Sequence, residues 1–175
     1  MILSRFFPRE FYNSVYEIDY ETLYANGFRG LIFDIDNTLA AFDVPDPPNE
    51  VVELISRLKQ LGFGVCLLSN NSEKRVVGFN NPLELPAIHK AGKPRRRGLR
   101  KAIELLKLPK EQTAIIGDQL FTDIWGGNRM NIHTILVNPL ATRDEWTVKL
   151  KRKPEKIVKK IYMKKYHNQI GGNNK

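Results

Sequence analysis

Between residues 29 and 140 the hydrophobic positions alternate between two patterns. Mainly apolar runs at Leu31–Phe33, Phe63–Leu68, Thr113–Ile116 and Ile132–Val137 read as buried strands, and Pro86–His89 adds a shorter one. Between them, apolar residues recur at helical spacing: Val51, Leu54, Ile55, Leu58 and Leu61, then Leu99, Ala102, Ile103 and Leu106. Each set is the stripe of a helix lying on a sheet. Asn49 and Ser72 stand where side chains cap helices, while Gly62 and Pro109 stop them. This alternation predicts an α/β fold: a three-layer, doubly wound, Rossmann-like, mainly parallel sheet of five strands.

The flanks differ. Residues 1–28 carry eight aromatics, and Pro8 sets the start of a short helix with Phe11, Tyr12, Val15 and Tyr16 on one face. The segment reads as a flap over one side of the sheet. Ile2, Leu3, Phe6 and Phe7 around Arg5 leave a second reading open, an interfacial anchor. From Arg143 the chain predicts a basic helix with Ile157, Val158, Ile161 and Tyr162 on one side, ending in a disordered Gly171–Lys175. The expected division is therefore 1–28 flap, 29–140 catalytic unit and 141–175 basic helical tail.

Charge sharpens that division. Residues 149–175 hold 10 lysines and arginines against the single acid Glu155, which is the whole net charge of +9. The remainder is neutral, so the tail is a separate feature: either a solvated face or contact with an anionic surface. No apolar stretch approaches the roughly 20 residues that span a bilayer, and the start lacks the apolar core of a secretory signal. The lone Cys66 sits in an apolar run and reads as a buried structural thiol. A cytoplasmic protein is expected, at most peripheral at the inner face of the membrane.

The ends of three strands then deliver polar groups: Asp34, Asp36 and Thr38; Ser69 and Asn70; Asp118 and Asp123, with Lys93 between the last two sets. In parallel sheets ligands bind outside the carboxyl ends of strands. Carboxylates converging there repel one another unless a cation is present. Oxygen-only donors favour Mg²⁺, and no His or Cys is spaced with the acids to favour zinc. A hydroxyl, an amide and a lysine suit the oxygens of a phosphoryl group. Singly, each acid is equally well a helix cap or turn residue; together they point to a site. His89 and His133 read as packed or partly exposed residues, and His167 in the tail carries little information.

Asp34-Ile35-Asp36-Asn37-Thr38, Ser69, Lys93 and Gly117-Asp118 with Asp123 resemble, in order, the four motifs of the haloacid-dehalogenase (HAD) superfamily. The chain is similar to its small subfamily IIIA phosphatases, most closely the YqeG-like group related to phosphatidylglycerophosphate phosphatases. The resemblance implies Asp34 as nucleophile and Asp36 as general acid and base. It implies Thr38, Ser69 and Asn70 as ligands of phosphoryl oxygens, with Lys93 offsetting charge on nucleophile and phosphate. Mg²⁺ would be held by Asp34, Asp118 and the Asp36 carbonyl, with Asp123 supporting it.

Family members usually carry a cap domain. Here about 30 residues separate Leu39 from Ser69 and 23 lie between Asn70 and Pro94, each accounted for by a helix and a strand. A capless site cannot enclose a small metabolite. Arg95-Arg96-Arg97 beside Lys93 forms a basic rim at a helix start, where cations oppose the macrodipole. These features favour a phosphorylated lipid head group such as phosphatidylglycerophosphate at an anionic membrane. The alternatives are a phosphatase of soluble sugar, nucleotide or protein phosphates, and a basic nucleic-acid or ribosome-binding protein on a silent scaffold.

Overall fold

The computed structural model describes residues 2–140 and 154–165. The helix start expected at Arg143, the disorder expected at Gly171–Lys175, and His167 all lie outside the described residues. Strands β1 (Glu10–Tyr12), β2 (Gly30–Phe33), β3 (Gly64–Leu68), β4 (Ala87–Ile88), β5 (Thr113–Gly117) and β6 (His133–Val137) form one sheet, ordered β1-β6-β5-β2-β3-β4. Every pairing is parallel. The fold is the doubly wound α/β architecture predicted, with six strands rather than five.

The extra strand comes from the aromatic N-terminal segment. Glu10, Phe11 and Tyr12 pair with Ile135, Leu136 and Val137, where a helix through Phe11 and Tyr12 was expected. The bulky aromatics suit a pleated, half-buried edge. Alternation along the strand sends Tyr12 to the core on one face of the sheet and Phe11 to the cluster on the other. Tyr12 donates its hydroxyl hydrogen bond to Glu10 Oε2 at 2.7 Å. The segment then turns into α1 (Tyr20–Ala25), capped by Asp19, whose side chain accepts from the Thr22 amide.

Successive strand residues divide between two cores. Leu31, Phe33, Val65, Leu67, Ala114, Ile116, Ile135 and Val137 face one side, with Val51, Leu54, Ile55 and Leu58 of α2 (Asn49–Gln60) and Val76 and Phe79 of α3 (Glu73–Asn80). Ile32, Cys66, Leu68 and Ile115 face the other, against Leu99 and Ala102 of α4 (Arg96–Leu106). Near β6 and the edge strand β1 the second layer continues with α5 (Trp125–Asn128) and α6, a helix over residues 154–165. In α6, Val158 and Tyr162 pack with Phe7, Leu120, Ile124 and Leu136. Ile157 and Ile161, expected on the same side, are exposed. A helix turns about 100° per residue, so neighbouring positions cannot share one contact line.

β2 lies between β3 and β5, and the chain leaves these neighbours toward opposite edges. The carboxyl end of β2 is thus the topological switch point, where a crevice opens. No helix among the described residues is long and apolar enough to cross a membrane. Within the described residues, 41–48 form a loop before α2, and 71–93 hold α3 and β4, with no lid domain in either segment.

Candidate active site

β2 ends at Phe33, so Asp34 and Asp36 both lie beyond regular strand. The main chain closes a compact turn in which the Ile35 carbonyl accepts from the amides of Thr38, Leu39 and Ala40. Asn37 sits at φ 63°, a left-handed conformation that Asn tolerates better than most residues. The two aspartates therefore diverge. Asp34 turns into the crevice and Asp36 turns towards α3.

Lys93 is the centre of the crevice. Its ammonium lies 2.8 Å from Asp34 Oδ1 and 2.8 Å from Asp123 Oδ1, with the side chain only 2% exposed. Asn70, at the end of β3, holds the lysine by its main chain. Its Oδ1 accepts from Lys93 N at 2.7 Å, and its Nδ2 donates to Lys93 O at 3.1 Å. The side-chain amide of Asn70, expected among the phosphate ligands, is engaged with the backbone of Lys93. Ser69 Oγ accepts from the Asn71 amide at 3.0 Å.

Asp123 is aimed by an unusual local backbone. After β5 the chain forms a π-helical turn, Leu120–Ile124, with the Asp123 and Ile124 amides both donating to Gln119 O. Such turns occur often at functional sites. Asp123 Oδ2 accepts from Gln119 N at 3.1 Å, so both its oxygens are engaged. A Cβ on Gly117 would stand 2.3 Å from Oδ2, so this glycine makes room for the carboxylate. Thr38 donates to Asp118 Oδ1 at 3.2 Å, linking the first and last motifs.

Oxygens of Asp34, Asp118 and Asp123 lie within 4.8 Å of one another. Burial pushes the Asp34 carboxyl well above its usual value; the Lys93 ammonium works against that shift, and Asp123 and Asp118 add to it. For Lys93, burial favours the neutral amine, but Asp123 and Asp34 outweigh it and hold the ammonium above the ordinary lysine value. The donors are hard oxygens, which fit a divalent cation rather than a thiophilic metal. Asp123, tied to Lys93 and Gln119, is better placed to support such an ion than to bind it directly.

The carboxylate of Asp36 lies outside this cluster. Arg75 Nε donates to Asp36 Oδ1 at 3.1 Å, with Nη2 3.0 Å from the same oxygen. Asn71 Nδ2 donates to Oδ2 at 3.1 Å. Neither Arg75 nor Asn71 was foreseen as a site residue. One signal was available: Arg75 sits in the first turn of a Ser72-capped helix, where a cation is unfavourable without a partner.

Arg95, Arg96 and Arg97 are exposed at the start of α4. Arg97 borders a cavity of about 260 Å³ with His89, Lys90 and Lys101. His133 is half-buried against Glu10, and His89 is partly exposed 3.9 Å from Glu73.

Comparison with known proteins places these features in a family. Residues 90–163 match a HAD-hydrolase-like family model. The chain is 38% identical over 169 residues to "Probable phosphatase YqeG" of Bacillus subtilis, covering 97% of this chain and 98% of that one. It is 31% identical over 137 residues to the chloroplastic phosphatidylglycerophosphate phosphatase 1 of Chlamydomonas reinhardtii, covering 73% of this chain and 51% of that protein. The structure of YfnB from Bacillus subtilis, solved bound to magnesium, superposes with a TM-score of 0.51 at 18% identity, over 69% of this chain and 91% of that one, and shares the fold. The chain thus belongs to the HAD-like hydrolases, as one of their phosphatases.

Proposed function

We propose that the protein is a Mg²⁺-dependent phosphomonoester hydrolase that works through a phosphorylated Asp34 and acts on phosphatidylglycerophosphate or a similar lipid head group. The observation that carries the reading is the buried Lys93 ammonium bridging Asp34 and Asp123 at 2.8 Å each. A carboxylate fixed at a strand end beside a buried cation is oriented for attack on phosphorus.

In the first step an Asp34 oxygen attacks phosphorus, and Asp36 gives a proton to the leaving oxygen as its bond to phosphorus breaks. In the second, water attacks the aspartyl-phosphate, Asp36 takes the water's proton, and the bonding pair returns to the Asp34 carboxylate. Thr38 and Ser69 are assigned to phosphoryl oxygens, with Asn70 acting through Lys93. Mg²⁺, held by Asp34, Asp118 and the Asp36 carbonyl with Asp123 behind, would supply charge neutralisation of the phosphoryl oxygens. The division into a catalytic unit over 29–140, an N-terminal segment and a basic tail belongs to the same reading.

Several features support a lipid substrate. The crevice has no lid among the described residues, Arg95–Arg97 stand exposed beside Lys93, and a phosphatidylglycerophosphate phosphatase is among the relatives. Ile157, 64% exposed, and Ile161 lie on α6 among Lys156, Lys160 and Lys164, which suits peripheral contact with an anionic bilayer.

The test is phosphate release with Mg²⁺ and with EDTA, comparing phosphatidylglycerophosphate vesicles, glycerol 3-phosphate, nucleotides and p-nitrophenyl phosphate. Turnover of the vesicles well above that of the soluble esters, lost in EDTA and in Asp34→Asn, is expected. Soluble esters with kcat/KM near 10⁴ M⁻¹s⁻¹ or above, exceeding the lipid, would overturn the substrate. Salt-sensitive RNA binding that survives Asp34→Asn, with no hydrolysis, would overturn the enzyme mechanism.

A further inference from the structure

Arg75 is held more tightly than a surface arginine needs to be. Its side chain is 12% exposed. Two guanidinium nitrogens meet Asp36 Oδ1, Nη1 donates to Pro45 O at 2.7 Å, and the guanidinium carbon lies 5.0 Å from the centre of the Phe79 ring. It thereby joins the turn after β2, the loop before α2, and α3. Asn71 is fixed as well: its amide donates to Ser69 Oγ, and its Oδ1 accepts from Ser72 N at 2.7 Å. Both oxygens of Asp36 are therefore held by the segment that directly follows Ser69.

A carboxylate that accepts N–H bonds on both oxygens has its orientation set by the groups that donate them. Arginine's planar fork fixes orientation in a way that a lysine point charge does not.

We infer that Arg75, together with Asn71, is a positioning residue for the hydrolytic half of the reaction, holding Asp36 where it takes the proton of the attacking water. The inference rests on the reading of Asp34 as nucleophile and Asp36 as base. In the step it serves, water oxygen bonds to phosphorus and the water proton passes to Asp36. The bond between phosphorus and Asp34 breaks with its electron pair returning to Asp34, and inorganic phosphate leaves. Arg75 touches none of the reacting atoms.

The experiment is rapid-mixing kinetics of the full chain with Mg²⁺ and p-nitrophenyl phosphate, whose leaving group departs without protonation. Arg75→Met is expected to slow steady-state turnover about tenfold or more and to raise the burst of p-nitrophenolate towards one equivalent per enzyme, because breakdown of the phosphoenzyme becomes limiting. Arg75→Lys should recover part of the turnover. A merely structural role would lower burst and steady state together. Asn71→Ala gives a second variant with the same expected direction should Arg75→Met fail to fold. Asp36→Asn is the control. If it shows the enlarged burst and Arg75→Met and Asn71→Ala do not, the positioning role is wrong. If Asp36→Asn itself leaves turnover and burst unchanged, the reading of Asp36 as base fails first.

Discussion

Asn70 grips the main chain of Lys93 from both sides, accepting from its N–H at 2.7 Å and donating to its carbonyl at 3.1 Å. The end of β3 thereby fixes a lysine 23 positions downstream, whose ammonium in turn fixes Asp34 and Asp123. Asn70→Ala removes both bonds and leaves partly buried polar groups without a partner, a loss of about 1–3 kcal/mol. Activity is expected to fall by more than the loss of folded protein explains, because Lys93 drifts from its two carboxylates. Urea unfolding alongside kcat on p-nitrophenyl phosphate separates the two effects.

Gly117 is required by a neighbour rather than by its backbone angles. A methyl group there would meet Asp123 Oδ2 at 2.3 Å and Cγ at 2.4 Å. Gly117→Ala is expected to displace Asp123, break its contact with Lys93 and reduce turnover at least 100-fold, in the range of losing a preorganised charged group. Gly78→Ala is the control. Its added carbon meets nothing within 4 Å on an exposed part of α3, so stability should rise by about 0.5–1 kcal/mol with turnover unchanged.

Divalent-cation binding to the three-carboxylate cluster should be visible without any substrate. A ligand that binds only the folded state at 100 times its Kd stabilises by about 2.7 kcal/mol. For a chain of this length that corresponds to a rise in Tm of roughly 5–10 °C. Mg²⁺ is expected to give this shift in the wild type and little in Asp118→Asn, as followed by thermal melts with and without EDTA.

The edge strand β1 carries a pH-dependent contact. His133 Nε2 lies 2.5 Å from Glu10 Oε1. That hydrogen bond, helped by the Tyr12 hydroxyl and opposed by burial, holds the Glu10 carboxyl below the usual carboxylate range. Because the folded value is lower than the unfolded one, the contribution to stability is present above the unfolded pKa. It disappears as pH falls through the folded value. Glu10→Gln is therefore expected to lower Tm at pH 7, with the gap to wild type closing as the pH drops below about 4.

What the sequence made legible followed from range. Asp34, Lys93 and Asp118 stand at the ends of strands or helices whose periodicity is local, so their convergence could be foreseen from the parallel order alone. Strand β1 could not, because three residues show no period and their partners, Ile135 to Val137, lie at the far end of the domain. Arg75 was hidden for the same reason: Asp36 precedes it by 39 residues, and a cation in the first turn of α3 calls for a partner without saying where that partner lies. In α6 the apolar content was visible but not its direction, since Val158 and Tyr162 face Phe7 while Ile157 and Ile161 remain outside.

The central claim is covalent chemistry at Asp34. Its most direct test is mass spectrometry of enzyme quenched in acid during turnover with Mg²⁺ and p-nitrophenyl phosphate, followed by peptide mapping. The expected result is one phosphoryl group per chain on Asp34, more abundant in Asp36→Asn and absent in Asp34→Asn. Phosphate release from substrate by an Asp34→Asn chain at wild-type rate, or a phosphoryl group mapped to another residue, would contradict it.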